Sequence, residues 1–236
     1  RSSLDGVFTD PPYFGNVQYA ELMDFCYVWL RRLLGEGIEG FKKRSTRNDR
    51  ELTGNEEMGR GLIYFTEGLS SVFKRMADAL KPGSPLAFTY HHNTLDAYLP
   101  VAVAILDAGL KCSASFPCPA EMGASIHING TKSSIIDTVF ICRTTGVISK
   151  RSLPSTTEGL AVLVRKDLEY LRDGGVNPTP GDTRCIVYGH LIRLVIWDLR
   201  NDWDRGKATS KRIGTVAEWI RSFGGWTEVE KYLYEP

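Results

Sequence analysis

Long apolar runs are missing from this sequence. No stretch reaches the ~18 residues that a membrane-crossing helix needs. The longest, Leu99 to Leu106, is short and rich in alanine. A secretory leader is not legible either: the chain opens Arg1-Ser2-Ser3-Leu4, with no apolar core and no initial methionine. Cysteines at metal-binding spacing are also missing. Cys26, Cys112, Cys118, Cys142 and Cys185 are odd in number, and no two stand in a C-x-x-C arrangement. A disulfide framework and a zinc ribbon within this chain are therefore not expected. Reduced thiols, no bound metal, no membrane and a cytoplasmic setting are expected instead. Charge of one sign is absent as well: 29 basic against 28 acidic residues leave +1, which excludes a histone-like or acidic-tail protein. No G-x-S-x-G is present, so a serine hydrolase elbow has no support.

What remains is an ordinary globular composition over 236 residues, 42% of them hydrophobic. That length suits one large domain, or one domain with an appendage. Leu4 to Thr9 reads as a short strand that must end at Pro11-Pro12, because proline continues neither a ladder nor a helix. Tyr19 to Leu34 has Leu22, Phe25, Cys26, Trp29 and Leu33 at helical spacing. Residues 35–60 are glycine-rich early, charged and poor in apolar groups, which fits a functional loop or disorder. Further helices are expected over 61–81 and 95–108, and strands over 85–90, 111–116 and 135–142. After Arg143 the pattern turns helical, near 157–172, 182–199, Val216 and Glu228. Alternating strands and helices predict an α/β fold with a mostly parallel sheet covered on both faces, closed by an antiparallel edge hairpin. Residues 1–145 then form the catalytic part of one domain, and 146–236 a helical C-terminal extension.

The specific signal is Asp10-Pro11-Pro12-Tyr13 at a strand's carboxyl end, where open α/β sheets bind their ligands. Composition alone would place this tetrapeptide in roughly one such chain in a thousand. The two prolines freeze the backbone and keep its carbonyls out of the ladder. Asp10 and the Pro11 carbonyl then form two acceptors aimed at one small volume, with the aromatic face of Tyr13 beside them. A planar exocyclic amine donates two hydrogen bonds, so such a pair would hold it and push its nitrogen towards sp³ geometry. Its lone pair would face an electrophile while the ring stacks on Tyr13.

An Asp-Pro-Pro-Tyr after a strand resembles the catalytic motif of S-adenosylmethionine-dependent amino-group methyltransferases acting on nucleic acid bases. The run from Val7 to Phe25, continuing through Tyr27-Val28-Trp29-Leu30-Arg31-Arg32, is similar to the prokaryotic family described as adenine-specific DNA methylases containing a zinc ribbon. Phe73-Lys74-Arg75-Met76, Leu80-Lys81-Pro82-Gly83, Tyr90-His91-His92 and the strand from Ser134 to Arg143 extend the likeness, and Gly181-Asp182 with Gly189 extends it weakly. It covers residues 4 to 143 well and the remainder loosely.

The resemblance implies a Rossmann-like methyltransferase sheet and methyl transfer to adenine N6 in DNA. It implies Asp10, Pro11, Pro12 and Tyr13 as the catalytic set, with the target base flipped out of its stack. It also implies a glycine-rich cofactor turn upstream of the tetrapeptide, and no such turn is found. The zinc ribbon is missing too. The expectation is a sheet incomplete at its N-terminus. Asp10 and Tyr13 would offer only part of the cofactor site, and another segment or partner subunit would supply the rest. RNA guanine N2 and DNA cytosine N4 remain alternative targets, and a catalytically silent nucleic-acid- or partner-binding fragment is the alternative of another class.

Other signals are weaker. Gly35-Glu36-Gly37-Ile38-Glu39-Gly40 matches G-x-G-x-x-G by letters, but no strand precedes it. Arg31, Arg32, Lys42, Lys43, Arg44, Arg47 and Arg50 outnumber Glu36, Glu39 and Asp49 just after the motif. Of these, Lys42, Lys43, Arg44 and Arg47, with Asn16 and Lys132, are the candidate nucleic-acid contacts. His91 and His92 close a predicted strand on the same edge as Asp10, where one could meet base or cofactor. Adjacent residues on a strand point opposite ways, so the two do not suit a shared metal.

Overall fold

The computed structural model describes residues 2–15, 17–35, 37–120, 134–144 and 153–234. Among them are four strands and seven α-helices: β1 (Val7–Thr9), α1 (Tyr19–Leu34), α2 (Leu62–Ala79), β2 (Pro85–Tyr90), α3 (Leu99–Asp107), β3 (Lys111–Pro119), β4 (Ile136–Arg143), α4 (Thr157–Asp173), α5 (Pro180–Leu199), α6 (Thr209–Phe223) and α7 (Gly225–Tyr234). Short 3₁₀ turns occupy Glu39–Phe41, Glu56–Met58 and Leu95–Tyr98.

The fold is α/β with a mixed sheet in the order β1-β2-β4-β3. β1 pairs parallel with β2, whereas β4 pairs antiparallel with both β2 and β3. The expectation of a mostly parallel sheet is thus corrected: two of the three pairings are antiparallel. The cause is the β3–β4 hairpin, whose second strand inserts beside β2 and displaces β3 to the edge. β1, β2 and β3 still run in one direction, and β4 alone is reversed.

The expectation of helices on both faces is corrected too. β2 alternates half-buried and buried residues, and β4 does the same in register. Leu86, Phe88 and Tyr90 of β2 face the core beside Cys142, Phe140 and Thr138 of β4. The Phe88 and Phe140 rings stack at 5.2 Å, and Phe73 of α2 meets Phe88 edge-on at 5.0 Å. Tyr98 joins Tyr90 and Tyr188, so α2, α3 and α5 lie on this one face. The opposite face, with Ala87, Thr89, Val139 and Ile141, stays half-exposed, and Phe8 beside it is 80% exposed. Among the described residues no helix covers it.

The C-terminal helices share the core with the sheet rather than standing apart from it. Gly189 permits this closeness: a Cβ there would lie 2.5 Å from the Thr138 methyl of β4. α5 begins with Pro180 and a reciprocal cap between Thr179 and Asp182. The same buried Asp182 carboxylate accepts from Ser134 Oγ at 2.6 Å and from the Ile135 amide at 2.7 Å, tying the helix start to the entry of β4.

α1 departs most from its pattern. Its bounds are those the spacing predicts, yet only Ala20 and Tyr27 are buried. Leu22, Phe25, Trp29 and Leu33 face outward, with Phe25 at 72% and Leu33 at 81% exposure. Among the described residues no helix is long and apolar enough to cross a membrane.

Candidate active site

β1 ends where the sequence says it must, and Asp10-Pro11-Pro12-Tyr13 leaves the sheet beside the carboxyl end of β2. The register Thr9↔Phe88 sets Asp10 next to Thr89 on the uncovered face. Thr89 Oγ1 donates to Asp10 Oδ1 at 2.5 Å, and the Tyr13 hydroxyl donates to the same oxygen at 2.9 Å. The two hydroxyls lie 3.4 Å apart. Among the described residues no donor reaches Asp10 Oδ2 or the Pro11 carbonyl. Asp10 is exposed, Pro11 is buried, and Pro12 and Tyr13 are half-buried.

The Tyr13 ring meets Tyr90 edge-on at 5.2 Å and lies 6.4 Å from the His91 ring. Burial raises the Tyr13 phenol well above its ordinary range, so it acts here as a neutral donor. His91 Nδ1 lies 2.9 Å from the Ile136 carbonyl; a proton on that nitrogen completes the bond and leaves Nε2 as an acceptor. His92 accepts from the Thr94 amide at Nδ1, 3.0 Å away. Its pKa is lowered, first by burial and then by the neighbouring His91. Asp10, Tyr13 and His91 are therefore gathered at one rim, whereas His92 serves the turn after β2.

The residues after the motif are held by the segment 45–60, which the sequence left as loop or disorder. Glu51 Oε1 accepts from the Ala20 amide at 2.9 Å and so caps α1, whose own N-cap residue, Gln18, makes no side-chain capping bond. Buried Arg60 pairs with the other oxygen of Glu51 at 3.5 Å. Thr53 Oγ1 donates to the Val17 carbonyl at 2.9 Å, and Gln18 Nε2 donates to the Gly54 carbonyl at 3.0 Å. Gly54 packs so closely that a Cβ would lie 2.7 Å from the Gly15 nitrogen and the Phe14 ring. Thr89, Glu51, Thr53 and Gly54 are site-forming residues that sequence reasoning missed.

Lys42, Lys43, Arg44 and Arg47 are all exposed on the segment that wraps the C-terminal half of α1. Lys42 pairs with Glu39 at 2.5 Å and Arg47 with Glu21 at 3.2 Å. Asp24 anchors this segment through Ser45 Oγ and the Thr46 amide, both at 2.6 Å, and these bonds hold its carboxyl below the usual carboxylate range. Tyr27 adds bonds to the carbonyls of Gly40 and Lys43. Asn16 and Lys132 lie outside the described residues. An apolar cavity of about 510 Å³ opens between α1 and this segment, lined by Tyr19, Met23, Tyr27, Leu30 and Phe41 among others. It contains none of Asp10, Tyr13 or Thr89.

Among the described residues, no three His, Cys, Asp or Glu side chains gather as a metal site would require. Gly35 to Gly40 follows the C-terminus of α1, not a strand, which removes the letter match as a dinucleotide turn. No protein-family model matches this chain, and neither a curated protein nor a solved structure matches it.

Proposed function

We propose that this chain holds the target base of an S-adenosylmethionine-dependent amino-group methyltransferase acting on DNA, with adenine N6 as the acceptor. One observation carries the reading. At the carboxyl end of two adjacent parallel strands, a carboxylate and a proline carbonyl stand next to an aromatic ring, and among the described residues no donor reaches Oδ2 of the one or the oxygen of the other. Two acceptors and a stacking face are what a flipped base with an exocyclic amine needs.

In this reading the two N–H bonds of the amine go to Asp10 Oδ2 and the Pro11 carbonyl. The nitrogen is thereby drawn towards sp³ geometry, which takes its lone pair out of conjugation with the ring and localises it on nitrogen. Tyr13 stacks on the base and favours the positive charge that develops on it. When bound, S-adenosylmethionine supplies an electrophilic sulfonium methyl. Once methylated, the amine would carry one proton too many. Asp10 Oδ2, already hydrogen-bonded to it, takes that proton and passes it to water, since the carboxylate is exposed.

The residues fit the base better than they fit the cofactor. Asp10 and Tyr13 border a cofactor site, but the described residues supply no glycine-rich turn after a strand. The reading assigns that turn to another segment or a partner subunit. The edge position of β1, unpaired on one side among the described residues, with the exposed Phe8 and the outward Leu22, Phe25, Trp29 and Leu33 of α1, supports a further element covering them. A Rossmann-like sheet, of which these strands form one half, is the fold this implies. Phosphate contact falls to the exposed Lys42, Lys43, Arg44 and Arg47.

The test uses the protein purified from the cells that make it, with any subunit that accompanies it. Tritiated methyl from S-adenosylmethionine is offered to DNA and to RNA, and the labelled nucleoside is identified. Label in N6-methyladenine from DNA is expected. Label in RNA guanine or DNA cytosine would move the target, and no label in any nucleic acid would overturn the reading.

A further inference from the structure

We propose that Thr89 is a positioning residue which, together with the Tyr13 hydroxyl, clamps Oδ1 of Asp10 and so assigns Oδ2 to the substrate amine. The inference rests on the base-holding role proposed for Asp10.

Nothing in the strand itself calls for a threonine at position 89. It sits in the interior of β2, on the uncovered face, next to Val139 of β4 in the ladder. Valine has the same shape and equal or better strand preference, so neither the ladder nor the packing calls for a hydroxyl. Among the described residues, the side chains its Oγ1 meets are Asp10, at 2.5 Å, and Tyr13, at 3.4 Å. Asp10 in turn is exposed, so its charge does not need a partner to be tolerated. A hydrogen bond here adds little stability; its effect is on orientation.

That effect is specific. A free carboxylate rotates about its terminal bond and presents either oxygen. Two donors on Oδ1 remove this freedom. Thr89 is β-branched, hence stiff at its first side-chain torsion, and it is carried by a paired strand. Tyr13 is wedged against Tyr90, which itself bonds the Ala97 carbonyl at 2.8 Å and accepts from the Phe14 amide at 3.3 Å. Both donors are therefore held by rigid elements, and the carboxylate they fix keeps one oxygen for substrate. Tyr13 serves twice in this scheme, with its face on the base and its hydroxyl on Asp10.

Thr89→Val, Thr89→Ser and Tyr13→Phe variants, assayed for methyl transfer to DNA in the protein with its natural subunits, test the inference. Thr89→Val is expected to lower kcat about tenfold to a hundredfold, the cost of a misplaced reacting group, with KM for DNA little changed. Thr89→Ser restores the hydroxyl and should recover most of kcat. Tyr13→Phe keeps the stacking face and should lower kcat in the same way. All three should melt with the wild type, because the clamp sits at the rim. Wild-type kcat in Thr89→Val would overturn the clamp and leave the methyltransferase reading standing. So would a Thr89→Ser variant as impaired as Thr89→Val. A wild-type protein that transfers no methyl group would overturn both.

Discussion

At the scale of single residues, the site is made by pairs far apart in sequence. Asp10 and Thr89 are 79 positions apart, and Gln18 reaches Gly54 across 36. Gly54 shows how tight these contacts are. An alanine there would press its Cβ to within 2.7 Å of the Gly15 backbone nitrogen, and backbone cannot step aside as a flexible side chain can. Gly54→Ala is expected to cost about 1–3 kcal/mol of stability, the usual cost of overpacking, read from the urea unfolding midpoint. It should lower methyl transfer by more than that loss explains, because Phe14 and Gly15 directly follow the motif. The tetrapeptide itself was legible in the sequence: four unusual residues stand together and the prolines fix where the strand stops. Thr89 was not. A threonine inside a strand is ordinary, and only the register of β1 on β2 brings its hydroxyl to Asp10.

Elements were more legible one at a time than as neighbours. The expected bounds of α1 and β2 match the structure residue for residue, and those of α2, α4 and β4 to within about two. Periodicity records which residues share a face, whereas strand order depends on long-range pairing that periodicity does not encode. The insertion of β4 between β2 and β3 therefore went unread. The helices are joined by buried polar ties of the same kind. Asp107, at the end of α3 and fully buried, accepts from Arg212 of α6 and from Trp203 Nε1, the latter at 2.9 Å. His190 of α5 bridges Ser115 of β3, at 3.0 Å, and Asp167 of α4, at 2.6 Å. Ser115, His190 and Asp167 are all buried, as befits a tie between packed elements. Asp107→Ala would leave the Arg212 cation buried and unpaired. It should destabilise the protein by roughly 3–5 kcal/mol, measured by denaturant titration, without changing the residues around Asp10.

At the scale of the whole molecule, one sheet face and one helix are left uncovered among the described residues. Leu22, Phe25, Trp29 and Leu33 form an apolar stripe on α1, and such stripes normally face a core. Here the helix is anchored instead through Tyr27, Asp24 and Arg31 to the segment 40–46, and the stripe looks outward. Sequence gives the stripe but not what lies against it. The chain on its own should therefore self-associate and bind an apolar dye. Leu22→Glu with Leu33→Glu should reduce both, with less than about 1 kcal/mol lost, since neither side chain is buried. Light scattering after gel filtration reads the first effect and denaturant titration the second. In the natural assembly the same pair should weaken attachment of the element that supplies the cofactor turn. The net charge of +1 conceals a local excess of basic residues beside α1, which is where the proposed function puts phosphate contact.

The central claim is that Asp10 holds the amine that receives the methyl group. Its most direct test is the rate of N6-methyladenine formation in DNA by the natural assembly carrying Asp10→Ala, compared with wild type, with circular dichroism melts of both. The account predicts that transfer falls by about a thousandfold or more while the melting curve is unchanged. Transfer by Asp10→Ala at the wild-type rate would contradict it.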